Sequence, residues 1–588
     1  MLTLIHNAYN ALADFRQRRA RAIDFYRGRQ WSDTVFVNGQ ALTEEQYIRQ
    51  QGRAPLKQNM IRPPLRNLIG QFRSNPSKPI VFARNREDQK AAEMMSVALE
   101  SVLDMNDSAT HDARQLEEFL ISGCAISKTA FQLDPERQQA IPTFHAIDPD
   151  CFFISPDFNR PDGSDANMVG ELLDMDIDDV IGTYAHNDEE ERRIRTIYRE
   201  ATTDENQFST FSPYRNHHYQ HSPLIAPTGK CRVIELWRKE SNWQLYCHDH
   251  ADGTCCLRPM NEQHQIEEEN QQRHLCGKPL ISFTKQYASH WHCYHLSPNG
   301  DVLWSGESPF LHGSHPYIMA FYPLVGGECW GLVEDLIDQQ KMINRNMILF
   351  DFINASSAKG VLLVPEDCIP DDLTLEDIAD EWARCNGVIK IRTRAGAQIP
   401  QQITSHALHP GLNQMIELQL RLMGDIGGVH DAIQGKSTVS GTPSSLYAQQ
   451  SQNSATNTLD YIASFDQFLR KRDKIMLQLI RQFYTSQQYI RTMGTEYSEE
   501  AHHFDPEKIR NVDFDNAIVQ GHNSPAFRAL ADDTLMQLLQ SDYIDLNTYL
   551  ENCSLPLADK LRLKINNTTN PCNATTSSTT PPPTHPNG

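Results

Sequence analysis

The chain has 588 residues, which suffices for several folded domains and excludes a single small one. Its composition, 39% hydrophobic and 22% charged, is that of an ordinary globular protein. The formal net charge of −21 excludes proteins that wrap nucleic acid through its phosphates, so a DNA partner would have to be held loosely or locally.

The N-terminus turns polar and basic before the apolar core of a signal peptide could form, and no run of eighteen apolar residues occurs further along the chain. We therefore expect no membrane span and a cytosol-like compartment during synthesis. The 13 cysteines are an odd number without regular spacing, so we expect reduced thiols rather than disulfides.

The first predicted element is a helix from Ala11 to Trp31 that carries a row of arginines. A solvated helix face and a phosphate-facing patch are both compatible with such a row. Arg19 falls on the apolar side of the helix. The members of the row are Arg16, Arg18, Arg19, Arg21, Arg27 and Arg29.

An α/β unit is predicted to extend to about residue 320. It begins with a helix and the β-type run PIVFA, and two amphipathic helices come next, the second ending at Gly123. The first of these two helices is predicted to have Met94, Ala98, Val102 and Met105 on one face. The segments CAISKTAFQL and TFHAIDPDCFFISP are predicted strands. DIDD is interpreted as a solvated acidic turn, the alternative being a divalent-cation site at Asp174, Asp176, Asp178 and Asp179.

Residues 231 to 310 are β-rich and concentrate cysteine and histidine. VIELWRK, WQLYCHD and VLWSG are predicted to be separate strands. No C-x-x-C pair occurs, although His290 and His295 have H-x(4)-H spacing. If HWHCYH is a strand, His290 and His292 share one face, and Cys293 and His295 share the other. We favour ordinary strand residues over a zinc site, and expect no metal and no cofactor.

Long helices dominate the second half of the chain. One is predicted from Gly331 to Ala355, and it is followed by a mixed segment with two β runs, GVLLV and GVIKIR, around a short acidic helix. LNQMIELQLRLMGDIG is a further helix, and another runs from about Ser445 to Tyr484. The Thr-, Ser- and Pro-rich end of the chain is predicted to be disordered.

The GKST segment after Gln434 has the ending of a nucleotide-binding phosphate loop. Such a loop needs a first glycine five residues before Gly435, a strand before it and a helix directly after it. His430 occupies the glycine position, the preceding element has helical spacing, and Gly441 and Pro443 interrupt the segment after GKST. We therefore expect no enzyme activity. A cytosolic nucleotide-binding enzyme that uses GKST remains the main alternative.

The order of these parts resembles the portal proteins of tailed double-stranded DNA bacteriophages, and most closely those of podovirus type. The matching segments are RPPLRNLIGQFRSNPSKP, IDPDCFFISPDF, GLVEDLIDQQKMINRN and GVHDAIQGKSTVSGTPSS. None is a catalytic signature, and their order over roughly residues 10 to 500 carries the resemblance. Another virion structural protein, such as a head-tail adaptor, is the second alternative.

The resemblance implies an α+β subunit of portal type with an α/β wing, a helical stem, a small α/β clip, a long wing helix, a short helical crown and a disordered tail. The implied boundaries are 1–330 for the N-terminal part of the wing, 331–355 and 409–425 for the stem helices, 356–408 for the clip, 426–444 for a tunnel loop, 445–523 for the long wing helix and return, 524–566 for the crown and 567–588 for the tail.

The resemblance also implies a function. Subunits of this type form a homo-oligomeric ring, expected to contain twelve copies, that is the head-tail connector of the virion. The ring occupies one capsid vertex and serves genome packaging, retention and ejection, with double-stranded DNA passing through the channel independently of its sequence. The implied partners are terminase, the major capsid protein or scaffold, and head-tail adaptor and tail proteins, with no membrane. Assembly is expected in the host cytoplasm.

Two sets of residues are predicted to contact partners, both as hypotheses. The tunnel loop has few basic groups, and we expect His430, Lys436, Ser437, Thr438 and Ser440 to contact passing DNA, with solvated loop residues as the alternative. Its hinge glycines are Gly427, Gly428, Gly435 and Gly441. The clip is expected to face terminase or an adaptor through Glu366, Asp367, Asp371, Asp372, Glu376 and Asp377.

Overall fold

The computed structural model describes most of the chain up to residue 428 and parts of the C-terminal remainder. The described residues are 1–74, 78–83, 88–134, 139–201, 229–251, 253, 255–357, 361–384, 387–392, 400–403, 410–428, 444–484, 488–491, 501–504, 506–509, 512, 514–519, 534–541, 543–546 and 549. None of the described helices is long and apolar enough to cross a membrane.

Helices and strands alternate along the chain. The helices are α1 (Leu2–Ala11), α2 (Ala13–Arg27), α3 (Glu44–Gln50), α4 (Arg62–Ser74), α5 (Gln89–Met105), α6 (Ser108–Ser122), α7 (Ile177–Tyr184), α8 (Asp188–Ala201), α9 (Gln263–Leu275), α10 (Leu332–Ser357), α11 (Leu375–Ala383), α12 (Pro410–Gly427), α13 (Ser444–Phe483) and α14 (Pro506–Ile509). The strands are β1 (Thr34–Val37), β2 (Gln40–Thr43), β3 (Lys78–Ala83), β4 (Cys124–Asp134), β5 (Gln139–Ala146), β6 (Phe152–Ile154), β7 (Met168–Met175), β8 (Cys231–Asp249), β9 (Cys255–Pro259), β10 (Ile281–Leu296), β11 (Val302–Glu307), β12 (Tyr317–Phe321), β13 (Leu324–Val325), β14 (Glu328–Cys329), β15 (Val361–Leu363), β16 (Gln401–Ile403), β17 (Gln488–Arg491), β18 (Ala501–Phe504) and β19 (Phe514–Val519).

The strands form antiparallel sheets. The largest has the order β11-β10-β8-β7-β6, with β9 added alongside β8, and a second has the order β12-β4-β5. Every strand pair that the structure describes is antiparallel. Antiparallel sheets with helices packed to one side define the α+β class, so the predicted fold class is confirmed at this level.

The largest core lies where α4, α5, α6, α10 and α13 meet the three-stranded sheet. Leu65, Met95, Phe119, Leu336 and Phe465 are all fully buried in it. The rings of Phe119 and Phe465 lie 5.8 Å apart, so α6 contacts α13 directly. The C-terminal half of α13 therefore packs along this core.

Gly123 ends α6 in the left-handed conformation with φ +76°, as predicted for a helix cap. A Cβ atom at this position would lie 2.3 Å from the carbonyl oxygen of Trp330, so glycine is also required by the close backbone approach. The cap connects α6 to β4 and brings the segment before α10 against it.

Three details of the prediction are wrong, and the predicted apolar face of α5 is buried only in part. Met105 is 40% exposed because it lies in the last turn of α5, beyond the residues that pack. The helix predicted from Ala11 to Trp31 is α2, which ends earlier, at Arg27, and the helix α1 before it was not predicted. VIELWRK and WQLYCHD belong to one strand, β8, whose polar middle is exposed in a long hairpin with β10. Residues 387–392 of GVIKIR form no strand, since β15 pairs with β16 instead.

Several arginines of the predicted row form ion pairs with carboxylates of this subunit. Arg19 is buried and pairs with Glu118 at 2.7 Å, Asp148 at 3.1 Å and Asp150 at 2.8 Å. Arg18 pairs with Glu328 at 2.9 Å. These ion pairs attach α2 to neighbouring elements, and they argue against a phosphate-facing patch.

Two histidines between β11 and β12 make stability depend on pH. Burial lowers the pKa of His315 to about 3 and that of His312 to about 4. Their pKa in the unfolded chain is about 6.5, so the free energy of unfolding has its full value above that pH. As the pH falls from 6.5 toward 4, each histidine lowers the free energy of unfolding by up to about 1.4 kcal/mol for every pH unit. We expect His315→Asn to reduce the loss of thermal stability between pH 7.5 and 5.

The His315→Asn variant keeps an acceptor for the Tyr317 N–H, which lies 3.2 Å from His315 Nδ1. The control is His264→Asn, at an exposed position on α9. Melting temperatures at the two pH values provide the measurement. An acid-induced decrease that is the same in His315→Asn and in the unmodified chain would contradict the assignment.

Candidate functional site

Helices α10 and α12 form an antiparallel pair on either side of the insert 358–409. Gly427 at the end of α12 lies beside Leu336 near the start of α10, so the two chains run in opposite directions. At a rise of 1.5 Å per residue, α10 is about 39 Å long and α12 about 27 Å. The pair therefore places the insert far from the core that holds Leu336.

Buried amides join α10 to the N-terminal region. Gln340 accepts from the Met60 N–H at 2.8 Å and donates to the Gln58 carbonyl at 2.6 Å. Asn344 accepts from the Gln58 N–H at 3.0 Å and donates to the Gln30 side chain at 2.5 Å. Because these amides are paired on both their donor and acceptor sides, the pairing fixes the rotation of α10 about its own axis.

Helix α12 carries an apolar stripe that nothing in the described subunit covers. The side chains are between 37% and 52% exposed, and their spacing of three, four and four residues places them on one helix face. Met423, about 100° round the helix from this stripe, is buried in the core. The members of the stripe are Met415, Leu418, Leu422 and Ile426. Exposed apolar patches of this kind mark contact surfaces.

The insert is a small module of its own. Strands β15 and β16 close its base, and Cys368 and Ile378 are buried within it. Helix α11 begins with a capping box in which Thr374 and Asp377 bond reciprocally. The predicted acidic helix is thereby confirmed.

The six acidic residues predicted in the insert divide into two groups. Asp371 pairs with Arg392, Asp372 pairs with Lys390 at 2.9 Å, and Asp377 caps α11. The Thr374 bonds lower the pKa of Asp377, and the Lys390 bond lowers the pKa of Asp372. The other group, Glu366, Asp367 and Glu376, is exposed and takes part in none of the described ion pairs of the insert. This second group is available to a partner.

The loop after α12 is described only at its start. Gly427 is the last residue of α12, and Gly428 adopts the left-handed conformation with φ +63°. The remaining predicted loop residues lie outside the described residues: His430, Gly435, Lys436, Ser437, Thr438, Ser440 and Gly441.

Strand β10 carries a group of potential metal ligands on each face. Glu235, Cys293 and His295 lie together on the inner face, and Glu240, His290 and His292 lie together on the other. The predicted division of the HWHCYH residues between two faces is therefore confirmed. The partnering glutamates of β8 were not identified from sequence, although the β8–β10 register places each of them opposite a histidine.

Three of the four acidic residues at and beside DIDD lie against basic side chains. Asp174 pairs with Arg232 at 2.8 Å and Asp176 with Lys230 at 2.8 Å, while Asp178 lies 3.8 Å from Arg195. This arrangement favours the acidic-turn interpretation over the cation site.

Comparison with known families gives one match. The family model described as phage P22-like portal protein matches residues 2–584. No curated protein matches the chain. The family match covers nearly the whole sequence, including the helix pair, the insert and the loop between α12 and α13.

Proposed function

The chain belongs to the phage P22-like portal protein family, and from this premise we propose which parts of the subunit build the channel and receive its partners. It is a phage portal protein, a virion component at a capsid vertex that connects head and tail and acts in genome packaging. Membership implies an oligomeric ring with capsid, terminase and tail partners. The match supports neither a nucleotide-binding enzyme that uses GKST nor another kind of virion protein.

The subunit is assigned as a wing over 1–330, stem helices over 331–355 and 409–425, and a clip over 356–408. The antiparallel pair α10 and α12, which flanks a small separate module, supports this assignment. Residues 426–444 are the tunnel loop, and 445–523 are the long wing helix and return. The crown over 524–566 is described only in small parts, and the tail over 567–588 lies outside the described residues.

The ring contains twelve copies, and the apolar stripe of α12 packs against the neighbouring subunit. The observation that carries the neighbour contact is the stripe itself, four large apolar side chains on one exposed helix face, whereas the number of copies is proposed from the resemblance to portal proteins. Burying such a surface stabilises a contact by about 25 cal/mol for each Å² of apolar area removed from water. Because each subunit of a closed ring has two neighbours, the same contact repeats around the ring.

Double-stranded DNA passes through the ring independently of its base sequence. Each subunit has a net charge of −21, so a ring of subunits repels phosphates overall and allows DNA to slide. A basic wall would bind the phosphates and retain the DNA. Transient contact then requires a local basic group that touches the backbone rather than the base edges.

Lys436 makes that contact, with His430 in support. We expect Lys436→Glu to reduce the packaged genome length and the retention of DNA in filled heads, and Lys436→Ala to do so less. The reason is that each subunit would lose a cation facing the phosphates, and the glutamate would add a repulsive charge. The packaged genome length is measured by pulsed-field electrophoresis.

The control for Lys436 is Lys285→Glu, which makes the same charge change at an exposed position on β10. It should package normally. Unchanged packaging in both Lys436 variants would refute the contact.

Terminase docks on the exposed acids of the clip. We expect the triple change Glu366→Gln, Asp367→Asn and Glu376→Gln to weaken terminase binding by about tenfold at low salt, because exposed charge pairs contribute about 0.2–1 kcal/mol each. The difference should shrink as salt is added. Binding of terminase to purified rings over a salt series is the measurement.

The matched control removes three exposed charges elsewhere, with Glu267→Gln and Glu268→Gln on α9 and Asp178→Asn on α7. Both variants keep the ion pairs of Asp371 and Asp372, so the insert stays folded. Equal binding by the clip variant and the control would place docking elsewhere.

A further inference from the structure

Strand β10 has different electrostatics on its two faces. On the inner face, Glu235 is buried and accepts from Trp237 Nε1 at 2.8 Å and from the Tyr317 hydroxyl at 2.9 Å. The Lys128 ammonium lies 2.5 Å from its other oxygen. A cation therefore already occupies the position that a metal would take beside Glu235, Cys293 and His295.

The outer face holds a comparable group without such a cation. Glu240 of β8 lies opposite His290 of β10, and His292 follows on the same face. One donor atom from each of these three side chains lies within 4.8 Å of the other two. Glu307 of β11 is the register partner of His292, and its Oε1 lies 3.8 Å from His290 Nε2. Three strands thus contribute two imidazoles and two carboxylates.

Two further contacts indicate a site that is built but incomplete. His290 Nδ1 is buried and has no hydrogen-bond partner. Leaving a buried polar atom unpaired typically costs about 1–3 kcal/mol. The Tyr294 hydroxyl donates to Glu240 Oε1 at 2.9 Å and orients that carboxylate, as an outer-shell partner of a metal ligand does.

The register places an arginine beside the carboxylates of this face. Arg238 is the register partner of His292, yet among the described residues no salt bridge joins it to Glu240 or Glu307. The face therefore has negative charge and imidazole donors close together. This combination is typical of sites for divalent transition metals, since magnesium and calcium favour oxygen ligands alone.

We propose that Glu240, His290, His292 and Glu307 bind a divalent transition-metal ion, for which Zn²⁺ is the appropriate probe. Zinc bonds to nitrogen and carboxylate oxygen measure about 2.0–2.2 Å, which keeps tetrahedral donors roughly 3.3–3.6 Å apart. Binding would require side-chain rotations that bring the donors from separations of up to 4.8 Å to that spacing. The proposal depends only on the β8, β10 and β11 side chains and is independent of the DNA and terminase contacts.

The ion would join three strands at the base of a projecting hairpin. Beyond Glu240 and His290, β8 and β10 continue to Asp249 and Ile281 and carry β9 and α9. Metal binding would hold β11 to this hairpin and so raise the thermal stability of the wing.

The test measures zinc bound per subunit in the purified full-length protein after loading with Zn²⁺ and removal of the excess. Exposed Cys255, Cys256 and Cys276 are competing ligands, so all are replaced by serine in the background. We expect the triple-serine protein to bind one more zinc ion per subunit than two variants of it. One variant carries His290→Ala and His292→Ala, and the other carries Glu240→Gln. Loss of one ligand should weaken zinc binding by at least about 100-fold, since losing an outer-shell partner alone costs about 10–100-fold.

Glu240→Gln keeps an acceptor for the Tyr294 hydroxyl, so it tests ligation even if the histidine variant is unstable. Co²⁺ identifies the face that binds. A site of nitrogen and oxygen ligands lacks the near-ultraviolet thiolate-to-cobalt band that Cys293 would produce. Equal zinc content in the Glu240→Gln variant, or a thiolate band that disappears in Cys293→Ala, would overturn the proposal.

Discussion

Replacing Leu418 and Leu422 together by glutamate leaves the subunit folded but prevents ring assembly. Both side chains point away from the core and are exposed in the single subunit, so the change costs the folded monomer little. In the ring, the same positions would bury two unpaired carboxylates per contact, each at a cost of several kcal/mol, and would lose the apolar burial as well.

Analytical ultracentrifugation and negative-stain electron microscopy provide the measurement, with circular dichroism to verify folding. The control is Leu257→Glu/Leu275→Glu, which changes two exposed leucines of the β9 and α9 region in the same way. The control should assemble. Rings of normal size from the Leu418/Leu422 variant would show that the α12 stripe is not a subunit contact.

Lys128→Met should destabilise the subunit by about 3–5 kcal/mol, the typical cost of removing one partner from a buried ion pair. Lys128 Nζ lies 2.5 Å from Glu235 and 3.2 Å from Glu171, and both carboxylates are buried. Burial lowers the pKa of Lys128, but the two carboxylates outweigh it and the pKa is raised. Without the ammonium, two buried carboxylates would face each other.

The pH dependence of the Lys128→Met deficit has a definite sign. The variant's buried carboxylates would have folded-state pKa values above the unfolded value of about 4, because burial penalises their charge. They bind protons more tightly when folded, so the deficit should shrink as the pH falls toward 5. Urea unfolding midpoints at pH 7.5 and 5 measure it.

Two variants serve as controls for this prediction. Adding Glu235→Gln to Lys128→Met should restore part of the lost stability, since one of the two unpaired charges is removed. Lys239→Met, at an exposed position on β8, should have little effect. A Lys128→Met midpoint within error of that of Lys239→Met would contradict the role of the ion pair.

Local patterns predict elements well where one face is buried and the other is solvated. The helix cap at Gly123 and the alternation of His290, His292, Cys293 and His295 along β10 are confirmed by the structure. The strand prediction is wrong where a strand is exposed to water on both faces. The polar middle of β8 resembles a turn, although it is paired backbone with both faces near water.

The α12 stripe shows why a site can be missed. The segment LNQMIELQLRLMGDIG has apolar residues on more than one helix face, and sequence periodicity cannot tell a face that packs internally from one that awaits a partner. The acidic residues of the insert 358–409 are a second case. Composition predicts a charged surface, but the ion pairs with Lys390 and Arg392 leave only part of that charge unpaired.

The sequence alone determined the α+β class, the order of the long helices, the failure of GKST as a phosphate loop and the resemblance to portal proteins. These features depend on local spacing and on the order of segments along the chain. The tertiary structure decided which polar groups have partners. Lys128 and Glu235 are 107 residues apart, and the unpartnered His290 nitrogen and the exposed α12 stripe are defined only by what surrounds them. Whether a side chain is buried or paired depends on residues that are distant in sequence, so local periodicity cannot predict it.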